Sequence, residues 1–490
     1  MKLKYFFILF ILGINTMVAN AQVPTADRLV FWVHGLGGNA SSWQKAAYAS
    51  MLNVPGSGLN PRNLYSYQPD YNQFDNDVPD ASLYLHQNAL AGGDAFCTTY
   101  NITDKNKNFI IAHSQGGIVS RYLDKLYNDN PTTLGRRFGG IVTFGTPHQG
   151  AQALNNKEML KQLINDGCND LIIGPLTEEV LYTFPLSLIV SGRDVQNVLK
   201  PVCNFINKNI VPILTTSFEG PIQKDYRVGA AALSEINGAS TPTHKVAFYG
   251  IEEEPVMWRM LYSLEQKPPN LFPAFQADDD SPLINEVNNN LLKYNAKFLQ
   301  AQANIDALGS HLTYCTVLQW AINPAYCAYN NSQVTKRRKL EDVRRAWSKG
   351  VGWWLNANAR YEAAIGAANI EAVGQTGYEC SCTNYDDSGN EINSWSGDVV
   401  NPQDCYSQSP SSGYTNCYLG NATTVTNYQV VVKPSDGLVL EESASDFQGA
   451  PKREMIKSNH QQMRNDSNTK DRLNELYRGD YGSYFFTALR

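Results

Sequence analysis

Ala112-His-Ser-Gln-Gly-Gly117 is the most informative segment of the sequence. It follows a short apolar run at residues 109–112 and precedes a helical pattern at residues 118–126. A nucleophilic serine needs a sharp strand-to-helix turn, with small residues two positions before and after it, so that its hydroxyl stands clear of the sheet. Alanine and glycine occupy those two positions. The stretch therefore predicts Ser114 as a nucleophile, and the alternative is an ordinary turn that contains a serine.

Further short apolar runs are spaced along the chain and alternate with helical patterns. They lie at residues 29–33, 140–144, 246–249 and 428–432. Strands that alternate with helices favour an α/β fold, in which a mainly parallel sheet is flanked by helices. In chain order, the run at 428–432 is the predicted fifth strand of that sheet.

A glycine-lined turn, Val33-His-Gly-Leu-Gly-Gly38, follows the first of these runs. Acyl transfer places negative charge on a carbonyl oxygen, and two backbone N–H groups aimed at one point stabilise that charge. We expect the N–H groups of Leu36 and Gln115, the residue after the serine, to be these donors. Taken alone the turn is a simple glycine loop, but its place one element before the serine strand favours the oxyanion role.

The serine needs a base, and the base needs an acid that orients it. In this architecture the chain order is serine, acid, histidine. His460 follows every predicted strand and fits that order best. The remaining histidines precede the serine, follow the third strand too closely to have an acid between, precede the fourth strand, or lie in the helical region after it: His34, His86, His113, His148, His244 and His311.

Asp436, within Pro434-Ser-Asp-Gly-Leu-Val439, is the predicted acid. It follows the run at 428–432, and the glycine after it allows a tight turn that directs the carboxylate to the imidazole. A surface aspartate in a turn is the alternative interpretation. The competing acids are Glu252, Glu253 and Asp446.

Together these motifs resemble those of the α/β-hydrolase triacylglycerol lipases and esterases of bacteria. The resemblance covers residues 28–250 and 428–490, and it rests on His34-Gly-Leu-Gly-Gly38, Ala112-His-Ser-Gln-Gly-Gly117, Gly145-Thr-Pro-His148, Ser435-Asp-Gly-Leu-Val439 and Asn459-His460. It implies Ser114 as nucleophile, Asp436 and His460 as its relay, Leu36 and Gln115 as oxyanion donors, and no cofactor.

The resemblance also bears on metal binding and on the substrate. Some of those lipases hold a structural calcium through an aspartate just after the catalytic histidine, whereas Gln461 and Gln462 follow here, so no metal is predicted. The implied activity is hydrolysis of lipid or other hydrophobic esters through an acyl-serine. An amidase or acyltransferase with the same triad, or a catalytically silent extracellular binding module, are the alternatives.

The N-terminus and the overall charge predict location and partners. Lys2 and Lys4, an apolar run at 5–12 and Ala19-Asn-Ala21 form the pattern of an export signal over residues 1–21, with an uncleaved anchor as the alternative. We therefore expect an exported protein, periplasmic or secreted. Lys plus Arg number 40 against 46 for Asp plus Glu, a net charge of −6, which argues against nucleic acid as the main partner.

The hydrolase core is predicted over residues 22–251 and 427–490, with residues 252–426 inserted as a cap over the serine, helical first and cysteine-rich second. In an oxidising compartment the nine cysteines favour disulfides. Six of them lie in a loop-rich stretch that needs cross-linking: Cys315 with Cys327, and a set of four together, Cys380, Cys382, Cys405 and Cys417. Their connectivity cannot be read from the sequence. Zinc binding by that set is the alternative, although the spacing of Cys380-Ser-Cys382 departs from that of a zinc knuckle. The odd count leaves at least one thiol free or paired outside the chain.

The helical part of the predicted cap is both aromatic and basic. It contains Trp320, Trp347, Trp353 and Trp354, together with basic residues at 336–339. Such a helix can lie on an anionic lipid surface, which predicts a transient membrane contact. The alternative is a packed helix with a solvated face.

Overall fold

The computed structural model describes residues 27–51, 59, 64–71, 76–163, 220–265, 275, 281–308, 313–385, 391–399, 403, 405 and 416–487. The predicted export signal, Cys168 and Cys203 lie outside these residues. The chain forms two compact units, Met1–Gly366 with Pro434–Arg490, and Ala367–Lys433. The helical part of the predicted cap belongs to the first unit, and the cap's position over the serine stays a prediction.

The described residues form the following strands: β1 (Arg28–Val33), β2 (Leu64–Tyr67), β3 (Phe109–His113), β4 (Gly140–Phe144), β5 (His244–Ile251), β6 (Ala368–Tyr385), β7 (Glu391–Val399), β8 (Asn416–Val432) and β9 (Lys452–Ile456). Six of them make one sheet, in the order β2-β1-β3-β4-β5-β9, and every neighbouring pair is parallel. The predicted mainly parallel sheet is confirmed. β3 and β4 are buried along their whole length, which is why they appear in the sequence as unbroken apolar runs.

The strand order reverses next to β1. The chain passes from β1 outward to β2 and then returns, so that β3 lies on the other side of β1. Connections that leave neighbouring strands in opposite directions open a crevice at the carboxyl ends of those strands, where ligands bind in open α/β sheets. The glycine turn after β1 and the serine turn after β3 both lie at this edge.

The α-helices of the described residues are α1 (Gln44–Ala49), α2 (Val78–Tyr84), α3 (Gly93–Thr99), α4 (Gln115–Asp129), α5 (Gln152–Asn155), α6 (Ala231–Gly238), α7 (Val256–Glu265), α8 (Ser281–Asp306), α9 (Val317–Ile322), α10 (Pro324–Ile365), α11 (Glu441–Ala444) and α12 (Ser467–Arg478). The longest, α10, ends at Gly366, whose φ of 81° is the left-handed conformation that closes helices. None of the described helices combines the length and apolar character needed to span a bilayer.

The second unit contains a separate antiparallel sheet in the order β7-β6-β8. Two disulfides, Cys380–Cys405 and Cys382–Cys417, lie within it, and a third, Cys315–Cys327, lies in the first unit. The prediction that these cysteines form disulfides is confirmed, and the structure supplies the connectivity that the sequence left open. Since all four cysteines of the second unit are paired, the zinc alternative is wrong. Cys97 is free and buried.

The predicted fifth strand is wrong in its placement. Residues 428–432 belong to β8, and they pair antiparallel with residues 368–372 of β6. An apolar β-branched run indicates a strand but does not identify its partner, and here the partner is the start of β6 in the second unit rather than a strand of the parallel sheet. The parallel sheet is completed instead by Lys452–Ile456, an edge strand that buries only Met455 and therefore lacks the pattern of a covered strand.

Candidate active site

Ser114 occupies a strained turn between β3 and α4. Its φ of 52° and ψ of −127° lie outside the regions that residues with a side chain usually adopt, which costs about 1–3 kcal/mol. Two backbone hydrogen bonds hold the turn: the Ser114 N–H donates to the Phe144 carbonyl, and the Gly117 N–H donates to the Ser114 carbonyl, each over 3.0 Å. The structure thus holds the serine in the sharp strand-to-helix turn that the sequence predicts.

Glycines let the loop after β1 approach this turn closely. A Cβ atom on Gly116 would lie 2.3 Å from the His34 carbonyl oxygen, and one on Gly35 would lie 2.8 Å from the Ser114 Cβ. Such distances exclude any larger residue at either position without a shift of the backbone. Leu36 follows Gly35 in a turn closed by a 3.1 Å hydrogen bond from the Gly38 N–H to the Gly35 carbonyl. Both predicted oxyanion residues therefore belong to turns that meet at Ser114.

The structure brings Ser114, His460 and Asp436 together. His460 Nε2 lies 2.9 Å from Ser114 Oγ, and His460 Nδ1 lies 2.7 Å from Asp436 Oδ2. Only 1% of His460 and none of Asp436 is exposed. With the Nδ1–H donated to the carboxylate, the Nε2 lone pair faces the serine hydroxyl and is placed to accept its proton.

The Asp436 carboxylate is fixed by its own loop. Its Oδ1 accepts the backbone N–H groups of Leu438 over 3.0 Å and Val439 over 2.7 Å, which leaves Oδ2 for His460. Gly437 has a φ of 89°, so the tight turn expected after the aspartate is present. The His460 N–H donates to the Asp436 carbonyl over 2.7 Å, and this bond joins the two loops through their backbones.

The competing acids make contacts elsewhere. Glu253 pairs with Lys457 at 2.9 Å, and Asp446 accepts a 2.8 Å hydrogen bond from the Gln149 side chain. Glu252 begins the loop after β5, and its N–H donates to the Ser435 carbonyl over 2.8 Å, so its backbone holds the acid loop.

His148 is buried and contacts residues other than Ser114, Asp436 and His460. Its Nδ1 accepts a 2.9 Å hydrogen bond from Arg121, and its ring stacks on Phe447. Burial, followed by the Arg121 charge, lowers the pKa of His148 well below its usual range, so the ring is neutral. Gly145, three residues earlier, has a φ of 57°, and a Cβ there would lie 2.9 Å from Asp436 Oδ2. The motif at residues 145–148 thus makes room for the acid.

His113 supports the loop that contains His460. Its Nε2–H donates to the His460 carbonyl over 2.7 Å, and the two ring centroids are 4.6 Å apart. Burial, followed by the neighbouring His460 ring, lowers the pKa of His113 well below its usual range. The neutral ring therefore positions His460 without placing a second positive charge beside it.

His34 anchors the glycine turn after β1. Its Nε2 lies 2.8 Å from Asp70 Oδ1, its ring stacks on Tyr71, and the Tyr71 hydroxyl donates to the His34 carbonyl over 3.2 Å. His34 is excluded as the base because it precedes the serine in the chain, and these contacts show that it holds the turn instead.

The long helix α10 contains buried polar residues that the sequence did not reveal. The buried Tyr361 hydroxyl donates to the Gly437 carbonyl over 2.7 Å, directly beside the acid. Asn358 donates to the carboxylates of Glu254 and Glu362 over 2.7 and 3.1 Å. Burial, and next the neighbouring Glu254, raise the pKa of Glu362 to about 8, so the pair holds a proton at neutral pH. No local pattern marks these residues, because their partners are far away along the chain.

Among the described residues, one group of potential metal ligands comes together, Cys380 with Cys382 and Cys405. All three are in disulfides, so none offers a thiolate to a metal.

No protein-family profile and no curated protein sequence matches this chain. Among solved structures it is similar to an extracellular α/β-hydrolase from a Paenibacillus species, at 15% identity and a TM-score of 0.22, over 45% of this chain and 76% of that one. It is also similar to a thermophilic esterase from Thermogutta terrifontis, at 13% identity and a TM-score of 0.23, over 49% of this chain and 77% of that one. EstA from Clostridium botulinum is similar over 97% of this chain and 90% of its own, at 12% identity and a TM-score of 0.30.

Identities and TM-scores this low are reported as similarities and are not used to assign the fold. The fold is assigned from the chain's own strand order and serine turn. The chain has an α/β-hydrolase fold: a mainly parallel sheet flanked by helices, with a serine in the sharp turn after its third strand.

Proposed function

We propose that the protein is an exported serine carboxylic-ester hydrolase, a lipase or esterase that acts on lipid or other hydrophobic esters. One observation carries the proposal: His460 lies within hydrogen-bond distance of both Ser114 and Asp436, at 2.9 and 2.7 Å. Serine is a weak nucleophile at its usual pKa, and this arrangement is the one that activates it.

The proposed reaction has two steps. His460 Nε2 takes the proton of Ser114, and the serine oxygen attacks the ester carbonyl to form a tetrahedral oxyanion. The N–H groups of Leu36 and Gln115 are proposed to bind that oxyanion. His460 then gives the proton to the departing alcohol oxygen, which leaves an acyl-serine. Water, deprotonated by the same histidine, hydrolyses the acyl-serine and restores the hydroxyl.

Export is proposed on two grounds. Residues 1–21 have the pattern of a signal peptide, and the described residues contain three disulfides, which form and persist in oxidising compartments. N-terminal sequencing of the mature protein tests this proposal, and the expected first residue is Gln22. An N-terminus at Met1 would contradict cleavage.

A fluorophosphonate probe tests the nucleophile. We expect it to label the wild-type chain once and to leave Ser114→Ala unlabelled, because the probe reacts only with an activated serine. Ser443→Ala is a matched control, since this buried serine donates to the Gly150 carbonyl and should not affect labelling. A folded wild-type chain that takes no label would favour the silent binding module.

A substrate series tests the reaction class. We expect p-nitrophenyl esters of increasing acyl length to be hydrolysed faster than the matching p-nitroanilide amides, and the rates to vanish in Ser114→Ala. A preference for amides would contradict the esterase proposal in favour of an amidase. Acyl transfer to an added alcohol faster than to water would favour the acyltransferase.

A further inference from the structure

The N-terminal end of α10, together with α9, carries a cluster of exposed apolar side chains. Val317, Leu318 and Ile322 are 89%, 70% and 75% exposed, far more than aliphatic residues packed against a fold. Aromatic residues that are also exposed extend the cluster: Trp320, Tyr326 and Tyr329. We refer to these six residues as the apolar tip.

The apolar tip belongs to an ordered element. The Cys315–Cys327 disulfide joins the two ends of the segment that contains α9. Thr316 and Gln319 form a reciprocal capping box at the start of α9, and the Asn323 side chain caps α10 by accepting the Tyr326 N–H. Further hydrogen bonds link Cys315 to Asn331 and Asn330 to Thr313. The fold therefore holds the apolar side chains outward in a defined position.

Charge changes abruptly along this segment. Residues 313–335 contain no Asp, Glu, Lys or Arg, and the next four residues are Lys336-Arg-Arg-Lys339. The Arg338 guanidinium lies over the Tyr314 ring, 4.8 Å from its centroid, at the base of the tip. At about 1.5 Å of rise per residue, residues 336–339 lie roughly 10–20 Å along α10 from the two tip tyrosines. An uncharged apolar end is thus followed by a basic band.

An apolar end followed by a basic band is complementary to the surface of an anionic bilayer, where acyl chains lie beneath negatively charged headgroups. An apolar element that binds at such a surface enters the boundary between headgroups and acyl chains by about 5–10 Å, and basic residues then lie near the lipid phosphates. Trp and Tyr favour the same interfacial depth. The sequence predicts a lipid contact along the tryptophans of the helical region. Of these, Trp320 is 39% exposed and belongs to the tip, whereas Trp347 is buried at 5% exposure. The side chains of Trp353 and Trp354 lie outside those that the structure describes.

We propose that the apolar tip inserts into the surface of an anionic lipid bilayer, with Lys336 and Arg338 contacting the lipid phosphates. The proposal does not depend on the esterase activity, since binding requires only the tip and the basic band. Binding to a bilayer would hold the protein at the surface where water-insoluble esters collect.

Vesicle co-sedimentation tests the proposal with the full oxidised chain carrying Ser114→Ala, so that no lipid is hydrolysed during the measurement. We expect binding to vesicles of phosphatidylcholine with phosphatidylglycerol, weaker binding to phosphatidylcholine alone, and a decline as salt is added. Leu318→Ser with Ile322→Ser should lower the partition coefficient at least about tenfold, because two aliphatic side chains no longer leave water. Lys336→Gln with Arg338→Gln should reduce only the part of binding that depends on phosphatidylglycerol.

Leu292→Ser with Leu299→Ser is the matched control, because these leucines of α8 are also exposed but lie outside the tip. It should bind vesicles as the parent chain does. Val317→Asp is a second tip variant at the most exposed position, and near-wild-type circular dichroism should accompany each variant. Absence of vesicle binding by the parent chain, or equal loss in the tip and α8 variants, overturns the proposal. A third outcome also overturns the proposal: no chain binds vesicles, and the parent chain forms a concentration-dependent dimer that the tip variants do not form. In that case the partner of the tip would be a second copy of the chain.

Discussion

Tyr361→Phe tests whether α10 holds the acid loop. The substitution removes the hydroxyl that donates to the Gly437 carbonyl over 2.7 Å and keeps the ring, so no cavity forms. Tyr361 is 9% exposed and Gly437 is buried, so water does not readily replace the lost donor. A buried acceptor left without its donor costs about 1–3 kcal/mol. We therefore expect the free energy of unfolding to fall by about 1–2 kcal/mol.

The assay is urea unfolding followed by intrinsic fluorescence, with the midpoint compared at constant slope. Asp436 keeps its bonds from Leu438 and Val439 in the variant, so kcat/KM on a soluble ester should fall by less than about tenfold. Tyr326→Phe is the matched control, because that tyrosine is 56% exposed. Removing its hydroxyl should change the free energy of unfolding by less than about 0.5 kcal/mol. Equal midpoints for the two variants would refute a stabilising role for the Tyr361 contact.

Asp436→Asn should lower kcat on a soluble ester by about 10⁴, because the amide favours the wrong imidazole tautomer. Asp446→Asn should stay near wild type, and similar losses in both variants would contradict the proposed role of Asp436. Gly116→Ala should abolish activity, since its Cβ would lie 2.3 Å from a backbone oxygen, while Gly135→Ala meets no atom within 4 Å and should retain activity; full activity in both would contradict the close approach at the serine turn. Glu362 has its pKa raised from 4.5 to about 8 in the folded chain, so the folded state holds more protons than the unfolded state between those values. Stability should therefore decline as pH rises from about 4.5 to 8, and Glu362→Gln should flatten that decline; an unchanged pH profile of the urea midpoint would contradict the shared proton.

Local sequence was enough to predict the turn at Ser114. The turn needs small neighbours because the loop after β1 approaches within contact distance, and that need is visible as glycine and alanine around the serine. His460 was found by chain order, since order reflects the architecture of a parallel sheet, and Asp436 by that order together with the glycine after it. The structure places both side chains at the serine, although the strand expected just before Asp436 belongs to the other sheet.

Edge strands show the limit of pattern in this chain. β9 buries one residue of five, and β2 is only four residues long, so neither produces the apolar run by which β3 and β4 were recognised. The run at 428–432 does produce such a pattern, but within an antiparallel sheet. Val432 is 52% exposed although it belongs to this run, so an apolar run indicates a strand without showing that the strand is covered in the core.

Features that depend on neighbours in the chain could be read from the sequence: the small residues around Ser114, the glycine turn at 34–38 and the tight turn after Asp436. Three-dimensional packing was needed to show which sheet each strand joins, that His113 supports His460, and that Tyr361 reaches the Gly437 carbonyl. A local turn is set by the space and backbone freedom of a few consecutive residues, so its requirements are written into them. A contact between distant residues depends on how whole elements pack, and a single hydroxyl or imidazole can serve many partners until that packing selects one.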